Sequence, residues 1–167
     1  MVSYFKKSSK NVEVIDIIQQ YPFNIANAMK YLFRVYRKTT DFENVFSDLK
    51  KAKYYIDKAI KNGDGYIYSD NNQKIMIAKN NAYHYINEFS QDTTHIPKSI
   101  NGEFGVLQTS VLELLSGILV LENSPYGSND YKEPYLKNIT TLEVAINIVE
   151  RLIEIVLVII GFLSWHS

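Results

Sequence analysis

The sequence predicts an all-α fold, a helical bundle of about six helices. Three observations carry this. Apolar residues recur at three- and four-residue intervals through several long stretches. The breaks between those stretches hold Asn, Gly and Pro where helices cap and stop. The composition, 46% hydrophobic and 22% charged over 167 residues, is that of one globular domain.

The elements follow in order. Residues 1–11 are polar and are expected to fray. Val12 to Gln20 carries Val14, Ile15, Ile17 and Ile18, and ends where Tyr21-Pro22-Phe23 breaks a helix. Asn24 is read as the cap of the next helix, residues 25–38. Its stripe is Ile25, Met29, Leu32 and Tyr36, with Ala26 and Phe33 alongside. Thr39-Thr40-Asp41 is the next cap signal, with Glu43 three residues after Thr40 like a capping box, for a helix over 42–61. That helix aligns Val45, Leu49, Ala52, Ile56 and Ala59 and stops at Asn62-Gly63.

Beyond Gly63 the pattern weakens. Tyr66-Ile67-Tyr68 and Lys74-Ile75-Met76-Ile77 permit a short β-hairpin near 66–77. The preferred reading is a helix over 74–89, with Ile75, Ala78, Ala82, Ile86 and Phe89 on one side. Residues 90–104, containing Pro97 and Gly102, read as a loop. Leu107 to Glu122 reads as a helix, and 123–134 as a second loop. Thr140 or Thr141 is expected to cap the last helix, which runs to about Leu163.

Several chemistries are excluded. There is no cysteine, so no disulfide, thiolate metal site or Cys nucleophile exists, and only His84, His95 and His166 offer imidazole. No glycine is followed by Lys and Ser/Thr, so the phosphate-cradling P-loop is missing. Gly63-Asp64-Gly65 lacks the third glycine of a dinucleotide fingerprint and follows a helix. The three arginines are scattered, and sequence-specific DNA binding is not expected. Met1-Val2-Ser3-Tyr4-Phe5-Lys6-Lys7 turns polar at once, unlike a secretory leader, and a cytoplasmic location is the expectation.

The zero net charge hides two unlike halves. Residues 1–61 hold 12 basic and 6 acidic side chains; residues 62–167 hold 6 and 12. A basic segment, 1–61, and an acidic one, 62–167, are expected to pack as one domain. The acidic segment closes on the apolar run 155–163 (IVLVIIGFL), short of the roughly 20 residues a membrane span needs. It is read as a bundle centre or as the interface of a homo-oligomer.

The remaining chemistry lies on the second and third helices. Asn27, Lys30, Tyr31, Arg34 and Lys38 fall at i, i+3, i+4, i+7 and i+11, on one face. Asp48, Lys51, Tyr55 and Lys58 share a face of the next helix. Cations take phosphates, a tyrosine stacks on a base, and Asn27 can read a base or ribose edge. The plain alternative is the wet side of two amphipathic helices. Glu13 and Asp16, with Asp48, offer oxygen ligands for Mg²⁺; acids at a helix N-terminus also answer the macrodipole alone.

Residues 12–60 resemble a small phage-encoded, nucleotide-kinase-like domain family without a P-loop. That family's pattern runs E-x-I-D, then G-N-A-x-K-Y-L-x-R, then E-D-L-x-K-A-x-x-Y-L. The matching residues are Glu13, Ile15 and Asp16; Asn27, Ala28, Lys30, Tyr31, Leu32 and Arg34; and Asp48, Leu49, Lys51, Ala52 and Tyr55. Two departures stand out. Residues 1–11 lack the family's His-Pro-x-His-Tyr-like segment, and Ala26 replaces the glycine before Asn27.

The resemblance implies a phage-type nucleotide-binding protein. Asn27, Lys30, Tyr31, Arg34, Lys51 and Tyr55 would form the nucleotide or phosphate site, and Glu13, Asp16 and Asp48 the Mg²⁺ site. As an enzyme it would be a nucleotide phosphotransferase. Without the histidine segment it would instead sequester a nucleotide, such as an immune-signalling nucleotide in an infected cell. A third reading, from the apolar tail, is a protein-interaction or membrane-associated factor.

Overall fold

The computed structural model describes residues 8, 9, 11–36, 41–65, 72–90, 98–119 and 132–165. They form α1 (Val14–Ile18), α2 (Phe23–Phe33) with a 3₁₀ turn Arg34–Tyr36, α3 (Phe42–Lys61), α4 (Asn72–Phe89), α5 (Lys98–Ser116) and α6 (Lys132–Trp165). Among the described residues there is no strand. The all-α bundle of six helices is therefore the fold.

The packing follows from two heptad patterns. On α3, Val45, Leu49, Ala52, Ile56 and Ala59 are buried, alternating steps of four and three. On α6, Leu142, Ala145, Val149, Leu152, Val156 and Ile159 are buried, alternating three and four. Such a repeat keeps one seam facing a partner helix. Small Ala52, Ala59 and Ala145 let the backbones approach. The central helix α3 packs on α2 and α6; α6 also packs on α5, α5 contacts α2 and α4, and α1 joins α2 to α4. Buried side chains of residues 1–61 and 62–167 form one core.

Polar staples set the helix ends. Asn138 is buried; its Nδ2 donates to the carbonyls of Gly65 (2.7 Å) and Leu119 (2.9 Å), and its Oδ1 accepts from the Leu119 amide (2.9 Å). One side chain thus ties the ends of α3 and α5 to α6. The Tyr21 hydroxyl donates to Ser116 O over 2.7 Å. Buried Gln108 donates to the Leu32 carbonyl near the end of α2. Gly63, at φ 70°, supplies the left-handed residue that ends α3.

Several boundaries differ from the sequence reading. Helix α2 begins at Phe23 after Pro22, so Asn24 is not its cap; the Asn24 amide instead donates to Asp64 over 2.8 Å. The cap of α3 is Asp41, the last residue of the Thr39-Thr40-Asp41 signal; its carboxylate accepts from the Glu43 amide, and Thr40 lies outside the described residues. Residues 72–77 are helical, which removes the second strand of the hairpin; 66–71 lie outside the described residues. Helix α5 starts at Lys98, inside the expected loop, and ends at Ser116. Burial of Phe104, Gln108, Val111 and Leu115 along one seam outweighs the roughly 1 kcal/mol that Gly102 costs a helix. Helix α6 starts at Lys132 with Pro134 in its first turn, where a missing N–H costs little. Thr140 and Thr141 are not caps: their hydroxyls donate back to Leu136 O and Lys137 O, both at 2.9 Å.

The apolar tail is split. Ile155, Val156 and Ile159 are buried, whereas residues 161–165 are exposed, Trp165 at 87%. Among the described residues no helix is long and apolar enough to cross a membrane.

Candidate functional site

The α2–α3 pair builds one cationic, aromatic face. Buried Ile25, Ala28, Met29 and Leu32 point α2 inward, which leaves Asn27, Lys30, Tyr31 and Arg34 on the outer side. Leu49, Ala52 and Ile56 do the same for α3, leaving Lys50, Lys51, Tyr54 and Tyr55 outward. The two faces meet at Tyr31 and Tyr55, whose rings lie 10° from parallel with centroids 6.0 Å apart. Phe23 and Tyr54 stand edge-on to Tyr55, at 6.1 and 5.2 Å.

Three cations gather on the Tyr31 ring. Lys30 Nζ lies 4.7 Å from its centroid, Lys51 Nζ 5.3 Å and Arg34 Cζ 5.6 Å. Each is within cation–π range. Arg34 Nη1 also lies 3.8 Å from Oδ1 of Asp48, which is buried. Neither Lys30, Lys50 nor Lys51 reaches a carboxylate among the described residues. Like charges collected without counter-charge repel one another and attract an anion.

Beside them opens a cleft of about 570 Å³, lined by Tyr31, Phe46, Ser47, Lys50, Lys51, Tyr54 and Tyr55. A cavity of this size falls in the range of small-molecule sites. Of the residues expected from the sequence, Tyr31, Lys51 and Tyr55 line it. Lys30 and Arg34 flank it through the Tyr31 ring. Asn27 is not among the lining residues; its amide donates to Phe23 O of its own helix over 2.8 Å. Lys38 lies outside the described residues. Phe46, Ser47, Lys50 and Tyr54 were not singled out from the sequence. The signal was present: 46, 47, 50, 51, 54 and 55 form one continuous helical face.

The structure does not bring Glu13, Asp16 and Asp48 together. Among the described residues no three His, Asp or Glu side chains gather as a metal site. Glu13 and Asp16 are exposed at the start of α1, where the Asp16 carboxylate accepts from the Glu13 amide over 3.1 Å. That is a local cap. Asp48 is buried against Arg34, because position 48 falls beside the core seam at Leu49 and Ala52.

Comparison with known proteins adds one relation. Residues 4–57 match the model of a protein family of unknown function, DUF3310. The match spans α1, α2 and most of α3, the elements that build the cleft. No curated protein and no solved structure matches the chain.

Proposed function

We propose that the chain binds a nucleotide in the α2–α3 cleft. The observation that carries this is the set of three cations on the Tyr31 ring, itself stacked on Tyr55. Lys30, Lys51 and Arg34, with Lys50 across the cleft, would take the phosphates. The exposed ring of Tyr54 and the half-buried ring of Tyr55 would take the base. Mg²⁺ would arrive with the phosphates, since the three-acid site does not assemble. The resemblance to phage-encoded nucleotide-kinase-like domains supports the same ligand class.

The cleft lining offers the Ser47 hydroxyl but neither carboxylate nor imidazole. A hydroxyl acceptor, which needs a general base, is therefore disfavoured. Transfer between nucleotide phosphates asks mainly for positioning and charge stabilisation, which the same cations would give. A nucleotide-sequestering protein in an infected cell is the first reading, on the histidine segment that residues 1–11 lack, and a nucleotide phosphotransferase the second.

The test is incubation with a mixed nucleotide pool and Mg²⁺, followed by chromatography of the filtrate and of the heat-denatured protein. One nucleotide depleted and then released intact supports the proposal. New nucleotide species establish the transferase reading instead. An unchanged pool overturns both.

A further inference from the structure

The cationic, aromatic face does not end at the cleft. Along α3, Phe46, Lys50, Tyr54 and Lys58 recur every fourth residue, alternating ring and cation. Lys50 Nζ lies 5.2 Å from the Phe46 centroid, and Lys58 Nζ lies 5.6 Å from the Tyr54 centroid. Beside this row run Lys51, Tyr31, Tyr55 and Phe23, the last 72% exposed.

The lysines of α3 divide by position. Lys53 pairs with Glu150 of α6 at 3.5 Å, and Lys61 with Asp57 at 2.8 Å. Lys50, Lys51 and Lys58 stand on rings and reach no carboxylate among the described residues. The lysines left without a carboxylate among the described residues are thus the ones set on aromatic rings, of which Tyr54 and Phe23 are exposed and Phe46, Tyr31 and Tyr55 half-buried. A single phosphate-bearing ring needs one such pair. A row of them fits a ligand that repeats base and phosphate.

We infer that this face binds a short single strand of nucleic acid, with bases on Tyr54, Tyr55 and Phe23 and phosphates on Lys50, Lys51 and Lys58. The inference rests on the cleft being a base-and-phosphate site, and extends it along α3. Stacking on aromatic rings with lysines tracking the backbone is how proteins hold single strands without reading sequence. From position 46 to 58 the helix rises about 18 Å. A stacked strand advances about 3.4 Å per nucleotide, so the row spans roughly three to five nucleotides as the bases splay. In a duplex the base faces are covered by stacking between successive pairs, so a duplex is disfavoured.

The experiment is fluorescence anisotropy with the full chain. The probes are labelled oligo-dT and oligo-U of two, four and eight nucleotides, an eight-base-pair duplex, and a labelled thymidine or uridine monophosphate. Affinity is expected to rise at least tenfold from monophosphate to four nucleotides and then flatten. The better homopolymer identifies the sugar preferred. Lys58→Ala, an exposed change outside the cleft, is expected to weaken the four-nucleotide probe several-fold. It should also lower the log–log salt slope by about 0.7 and leave the monophosphate unaffected. Monophosphate binding with no gain from length overturns the extension alone. Equal binding of duplex overturns it too. Binding of neither monophosphate nor oligonucleotide overturns the cleft reading as well.

Discussion

Arg34, at the end of α2, holds its guanidinium 3.8 Å from the buried carboxylate of Asp48 on α3. This pair joins the two helices of the candidate site from behind, while the same guanidinium stands on the outer ring of Tyr31. Arg34 is therefore part scaffold and part site.

Removing one partner of that pair is expected to destabilise the fold. Asp48→Ala removes a counter-charge from a guanidinium that is mostly shielded from water. Breaking a buried pair costs about 3–5 kcal/mol, and the partial exposure of Arg34 reduces this to about 2–3 kcal/mol. Arg34→Ala should cost a similar amount. Urea unfolding measures both.

Lys51→Ala separates ligand binding from folding. Lys51 is exposed and lines the cleft. Its loss should change stability by less than about 0.5 kcal/mol. If it holds a phosphate, nucleotide affinity should fall at least tenfold, as one charge-assisted hydrogen bond is worth about 1.5–3 kcal/mol. Calorimetric titration checks this, with Lys79→Ala on α4 as the unaffected control.

Asn138→Leu should be among the most damaging single changes in the core. It deletes three hydrogen bonds and leaves the Gly65 and Leu119 backbone groups unpaired. At about 1–3 kcal/mol for the buried Gly65 bond, and less for the two part-buried Leu119 bonds, a loss of about 2–3 kcal/mol is expected. Amide exchange should show the ends of α3 and α5 opening together.

Tyr21 predicts an alkaline limit. Burial, with a smaller contribution from Tyr83, raises its phenol well above the usual value of 10. The neutral form donates to Ser116 O. Because the folded state holds this proton more tightly, its contribution is complete below pH 10. It is lost as pH rises through 10 toward the folded value. Denaturation midpoints should fall above pH 10, and Tyr21→Phe should flatten that fall while losing the hydrogen bond at neutral pH.

Truncation distinguishes the two parts of the apolar tail. Deleting 161–167 removes exposed described residues and should shift the melting temperature by only a few degrees. Deleting 152–167 also removes buried Leu152, Ile155, Val156 and Ile159 and should abolish cooperative unfolding. Sedimentation of the shorter truncation against the full chain tests the expected homo-oligomer, which loses its tail contact if that end is the interface.

The helix class and the α3 boundaries were legible because periodicity is a local signal. Val45, Leu49, Ala52, Ile56 and Ala59 could face only one way on a helix. The pairing of Tyr31, Lys51 and Tyr55 was half legible: the sequence placed each on an outward face but could not say that the faces adjoin. The starts of α5 and α6 were not legible. Gly102, Pro134, Thr140 and Thr141 carry the local marks of loops and caps, and Gln108 and Asn138 interrupt the apolar pattern.

The sequence by itself determined that the chain is helical, which residues of α2, α3 and α4 turn inward, and that cations and tyrosines share two outer faces. Only the tertiary structure decided that Asp48 lies buried against Arg34, apart from Glu13 and Asp16. It also decided that Asn27 bonds its own helix, that Lys50 and Tyr54 join the cleft, and that α5 and α6 extend through their polar breaks. The reason is physical. Periodicity follows from the geometry of one helix, whereas the fate of a polar side chain depends on which donors and acceptors other helices bring within about 3 Å of it.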